Sequence, residues 1–177
     1  MKRLLLISAL LLVASNGWAY SEADLAKLKA LNDCGGCDLG VANLTGADLD
    51  DADLDDADLH KANLRKANLT NANFSDAILY KANFRKADLT GANFTGANLR
   101  DANLRGANLT NTKLILADFS DANLRNAKLD GADLSSADLR DAKLGNSADL
   151  RDADLRAKYC KTKMPWGELN DDCEDAD

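Results

Sequence analysis

Little of what a catalytic site usually draws on is present in this chain. Its 177 residues include one histidine (His60), one proline, two tryptophans and two methionines, and aromatic residues make up only 5%. A single histidine cannot furnish a multi-histidine metal site, and it permits one His-dependent triad at most. Mixed enzyme cores draw on a wider alphabet than this. Long apolar runs are also scarce. After the first 13 residues, charges recur every few positions, so no later stretch is long enough to span a bilayer. Instead, 31 Leu, 30 Ala, 26 Asp and 17 Asn supply 104 of the 177 residues. With 46% hydrophobic residues the chain can still form a core, so generic disorder does not follow. A composition this skewed means repetition.

The N-terminus has the layout of a secretory signal peptide. Lys2 and Arg3 precede an apolar run from Leu4 to Val13, and small residues stand at Gly17 and Ala19. The run falls short of the ~20 residues of a spanning helix. The expectation is cleavage after Ala19 and a mature chain that starts at Tyr20 and is periplasmic or secreted. That mature chain has 20 bases against 29 acids, a formal net charge of −9. Acidity at this level disfavours uniform affinity for nucleic acid or anionic lipid. Four cysteines in an exported chain point to disulfides.

From Cys37 to Ala157 the chain keeps a beat of A-[DN]-[LF]-x-x. Its centres fall every fifth residue from Leu39 to Leu144, then at Leu150 and Leu155 after a one-residue insertion in Gly145-Asn-Ser147. Of 24 centres, 20 are Leu and four are Phe (Phe74, Phe84, Phe94, Phe119). Five residues advance a helix by roughly 500°, so successive leucines would drift around every face. In a flat strand the odd period sends alternate leucines to opposite sides. One corner per repeat satisfies the pattern, with Ala and the centre inward and the other positions outward. Repeated corners wind a coil whose rungs pair as in a sheet. A second period of twenty shows in Arg65, Arg85, Arg105 and Arg125, and in Asn63, Asn83, Asn103 and Asn123. Four pentapeptides per turn would stack such residues in columns.

This array resembles the pentapeptide-repeat family, as do the flanks Cys34-Gly-Gly-Cys37-Asp-Leu39 and Tyr159-Cys-Lys-Thr-Lys-Met-Pro165. The resemblance implies an all-β solenoid, a right-handed quadrilateral β-helix of about six four-sided coils. The domain reading is a signal peptide over 1–19, an N-terminal cap over 20–36, the β-helix over 37–157 and an irregular C-terminal cap over 158–177. Ser21-Glu-Ala-Asp24 reads as a capping box, followed by a helical stripe of Leu25, Leu28 and Leu31. Met164, Pro165, Trp166 and Leu169 are available to cover the last coil.

The candidate site residues are the minority that break the repeat. Cys34 with Cys37, and Cys160 with Cys173, read as two local disulfides stapling the caps, because the rod would hold the pairs too far apart for one zinc site. The column Arg65, Arg85, Arg105 and Arg125, with Lys66 and Lys86, is a candidate anion-binding face. Charges one rung apart repel by about 1 kcal/mol even in water-like screening, and a bound polyanion would relieve this. A solvated face is the alternative. Ile115 and Leu116, at outward positions, are a candidate apolar contact. His60 reads as a surface residue. No catalytic residue, metal site or cofactor is expected.

The leading functional class is a non-enzymatic exported scaffold for an unknown protein partner. A polyanion-binding module through the arginine column is one alternative. The resemblance supplies another, a DNA mimic that protects DNA gyrase, which the signal peptide and the basic middle coils (nine bases against three Asp over 60–113) disfavour. DNA is an improbable partner on the same grounds, and a homodimer through a coil end is compatible with the sequence.

Overall fold

The computed structural model describes residues 20–145 and the segments Thr162–Met164 and Gly167–Leu169. The expected signal peptide, Cys160, Cys173, the insertion after Gly145 and the last two repeat centres lie outside the described residues.

Parallel bridges run from Asp33↔Asp53 through Asn123↔Lys143, and every pair is twenty residues apart. Four pentapeptides therefore make one circuit, and like positions stack in columns. The repeat from Asn63 to Ala67 shows why this geometry satisfies the backbone. The Asn63 amide donates back to Ala42 O (2.8 Å), while those of Leu64 and Lys66 donate forward to Asn83 O (2.9 Å) and Arg85 O (3.2 Å). The Ala67 amide closes the corner onto Leu64 O at 3.2 Å. The Arg65 amide donates to the side chain of Asn63, at Oδ1, 3.4 Å away. All five amides are satisfied, which is the accounting a buried coil requires. The Asp or Asn that precedes most centres thus has a specific task, supplying the acceptor that the corner lacks.

The corner sets a second requirement. The residue two after each centre from Leu39 to Leu139 has positive φ, from 54° at Asp56 to 71° at Gly96. Five of these positions are glycine; the others include Lys61, Lys86, Val41 and Leu116, types for which this region is uncommon.

Inward positions form one continuous core. Every centre from Leu39 to Leu144 is at most 6% exposed. Phe74 and Phe94, one circuit apart, stack with centroids at 4.8 Å, and Phe84 meets both edge-on at 5.9 and 6.0 Å. The alanines let opposite walls approach closely enough for these side chains to fill the interior.

Ahead of the coil, α1 (Glu22–Leu31) begins at the N-cap Ser21, whose hydroxyl accepts from the Asp24 amide at 3.2 Å. It ends at Asn32 in the left-handed conformation, with its amide on Leu28 O. Of the expected stripe only Leu28 is buried; Leu25 is partly covered and Leu31 is 66% exposed. The helix is tied to the first rung mainly by polar contacts. Asp38 accepts from the Ser21 amide at 2.9 Å and donates to Asp24 Oδ2 at 3.0 Å. Asn32 O accepts from the Asp53 amide at 2.9 Å. In the C-terminal segment β1 (Thr162–Met164) pairs antiparallel with β2 (Gly167–Leu169), so that stretch is more regular than the sequence suggests.

Candidate binding face

Each side of the coil is a set of columns, and charge is distributed by column. The side built on Leu44, Leu64, Phe84, Leu104, Leu124 and Leu144 is unlike the other three. Its outward columns are Asn43, Asn63, Asn83, Asn103, Asn123 and Lys143; then Thr45, Arg65, Arg85, Arg105, Arg125 and Gly145; then Gly46, Lys66, Lys86, Gly106 and Asn126. That side carries seven bases and no acid. The acids lie on the other sides, with Asp53, Asp55, Asp56 and Asp76 on the opposite one.

The predicted arginine column exists. Arg65, Arg85, Arg105 and Arg125 are exposed, and their carbonyls accept in turn from the amides of Gly46, Lys66, Lys86 and Gly106 (2.8–3.2 Å). Lys66 and Lys86 are exposed beside them. The ion pairs among the described residues lie elsewhere: Lys27–Asp33, Asp58–His60, Arg100–Asp121 and Arg140–Asp138. Among the described residues the four guanidinium groups therefore have no carboxylate partner, and they face solvent. The Asn and Lys143 flanking this column are not apparent as a site when charges are counted along the chain. Aligning the chain at a period of twenty brings them out.

The other predicted residues are dispersed. Cys34 and Cys37 are buried and joined by a disulfide at the start of the coil, remote from the arginines. Leu116 is 63% exposed at φ 60°, whereas Ile115 is half-buried. Thr112 is buried where alanine is usual, and its hydroxyl donates to Leu109 O at 2.7 Å. His60 stands at a corner, with Nδ1 2.8 Å from Asp58 Oδ1. On the acidic side, a hydrogen bond with Asp53 holds the Asp55 carboxyl above the ordinary value of 3.8, with the Asp53 charge acting the same way. Among the described residues no cluster of His, Cys, Asp or Glu has the geometry to hold a metal ion. No helix there is long and apolar enough to cross a membrane.

The family model for pentapeptide repeats matches residues 37–76, 57–96, 77–115 and 117–156, about two thirds of the chain. The chain belongs to the pentapeptide-repeat family. Its repeats and its C-x-x-C start, closed as a disulfide, fit that membership. The protein is similar to Rfr23, a pentapeptide repeat protein from the cyanobacterium Cyanothece 51142, at 29% identity over 71% of this chain and 96% of that one, with a TM-score of 0.38. It is similar to alr5209, a pentapeptide repeat protein from Nostoc PCC 7120, at 31% identity over 81% and 100%, with a TM-score of 0.22. QnrB1, a plasmid-mediated fluoroquinolone resistance protein, matches at 21% identity over 66% and 76%, with a TM-score of 0.42. No curated protein matches the chain.

Proposed function

We propose that this pentapeptide-repeat protein is an exported, non-enzymatic scaffold that presents flat, laddered faces to a partner. The same reading takes the coil as right-handed, with about six turns between caps over 20–36 and 158–177. The observation that carries it is the sorting of charge by column. Seven bases and no acid share one side, an arrangement that core packing and backbone bonding do not require. The layout of residues 1–19 supports export, and the Cys34–Cys37 disulfide fits an oxidising compartment. A DNA mimic needs a continuous acidic surface, and the arginine side interrupts it.

Fractionation of cells expressing the full chain, with mass spectrometry of the product, tests the reading. A periplasmic or secreted protein beginning at Tyr20, recovered with an envelope component after cross-linking, is the expected result. An uncleaved cytoplasmic product that alters gyrase supercoiling would replace this reading with the DNA-mimic one. Light scattering on the same product reports whether two copies meet at a coil end.

A further inference from the structure

We propose that the acid-free side binds one extended acidic polysaccharide chain, laid along the column Arg65, Arg85, Arg105 and Arg125. This deepens the scaffold reading by naming the chemistry one face accepts, and it does not depend on export.

Two independent features of that side ask for the same ligand. The first is the arginine column itself. Four guanidinium groups, with no carboxylate partner among the described residues, recur once per rung of ~4.8 Å. Together they span about 14 Å in a straight line on a flat side. The column favours a linear anion with roughly one charge per repeat unit, as in a glycan bearing one carboxylate or sulfate on each sugar ring. Guanidinium forks engage such groups bidentately.

The second feature is the asparagine row. Asn83, Asn103 and Asn123 are half-buried, and each spends Oδ1 on the backbone amide of Arg85, Arg105 or Arg125 (3.2, 3.2 and 3.3 Å). Since those oxygens accept, the amide nitrogens point away from them as donors. In two other columns that nitrogen is consumed within the protein. Asn68 donates to Asp48 Oδ1 at 2.8 Å, Asn73 to Asp53 Oδ1 at 3.0 Å and Asn93 to Asn73 Oδ1 at 3.1 Å. Within this column Asn63 donates to Asn43 Oδ1 at 3.5 Å, whereas Asn83, Asn103 and Asn123 make no such rung-to-rung bond. The rungs of Arg85, Arg105 and Arg125 therefore each offer the ligand a guanidinium beside a carboxamide donor. A glycan chain rich in ring, hydroxyl and anionic oxygens fits that array.

Nucleic acid fits less well. Single-strand binders combine basic grooves with aromatic platforms for the bases. These three columns contain no aromatic residue. A duplex would meet acids on the neighbouring columns, among them Asp88, Asp101 and Asp121.

The test is anisotropy titration of a fluorescent heparin dodecasaccharide and of a labelled polyuronate at low salt, with a DNA duplex in parallel. Two double variants supply the controls. Arg85→Glu with Arg105→Glu reverses two charges on the acid-free side. Arg100→Glu with Arg140→Glu makes the same change in net charge on another side. The first is expected to weaken glycan binding at least about tenfold and to lower the salt slope by about two. The second should weaken it less than about threefold, through long-range charge alone. Asn83→Asp with Asn103→Asp keeps the acceptor the backbone needs and removes the donors, and it should weaken binding like the first variant. Circular dichroism confirms that each variant folds. Equal weakening by the two arginine variants, no weakening by the first, or duplex binding as tight as glycan binding would overturn the proposal.

Discussion

At the scale of single residues, the corners concentrate strain and specificity. Gly40 sits against the His60 ring, so that a Cβ there would fall 2.2 Å from His60 Cε1 and 2.5 Å from Nδ1. Asp58 holds that ring in place at 2.8 Å. Gly40→Ala should therefore cost about 1–3 kcal/mol in chemical denaturation. Most of that cost should vanish in the His60→Ala background; an equal loss in both backgrounds would place the strain in the backbone. Leu116 shows the opposite case. Its left-handed backbone disfavours a leucine by about 1–2 kcal/mol, and its side chain is largely in water. Leu116→Gly should be neutral or mildly stabilising, whereas Leu114→Ala, two residues earlier but fully buried, should cost about 2–5 kcal/mol. Asp55 adds a pH signature. Its carboxyl binds a proton more tightly folded than unfolded, so it lowers stability as pH rises from about 3.8 through its raised value. Asp55→Asn should flatten that decline in urea midpoints measured across the range.

At the scale of elements, the pentapeptide was legible because its inward positions are nearly invariant. The period of twenty was legible because arginines and asparagines happen to mark it. Which outward position takes positive φ was not legible. Glycine stands at only five of those corners, and Lys, Asp, Asn and even Val41 fill the others. Rung-to-rung bonding holds them there, overriding local preference. The task of the Asp or Asn before each centre is likewise invisible to composition, since a turn residue and an amide acceptor look alike. Where Lys113 takes that place, its ammonium can only donate, and the altered corner is the one bearing Ile115 and Leu116. For α1, the N-cap followed the sequence signal, but the leucine stripe did not, because the helix is fastened by Ser21, Asp24 and Asn32. The Cys34–Cys37 disulfide closes a short loop beneath this helix. Reducing it should lower stability by about 2 kcal/mol, readable as a shift of the urea midpoint with and without reductant.

At the scale of the whole molecule, the column register makes a rod whose faces are set by position modulo twenty. Deleting residues 81–100 removes one full circuit and keeps every remaining residue in its column. Such a variant should fold cooperatively and retain a shorter arginine column. Deleting five residues, 81–85, turns everything after it by one side of the coil and separates Arg65 from Arg105. Circular dichroism and glycan affinity together distinguish the two outcomes. The same bonding pattern has a mechanical meaning. Its rung-to-rung hydrogen bonds run along the rod, while the chain travels around it. Tension applied to the ends of the coil loads those bonds a rung at a time, peeling circuits off in succession. Each circuit adds only ~4.8 Å to the folded length, yet twenty extended residues reach ~70 Å. The rod is thus a wound tether, able to pay out about fourteen times its own length under load.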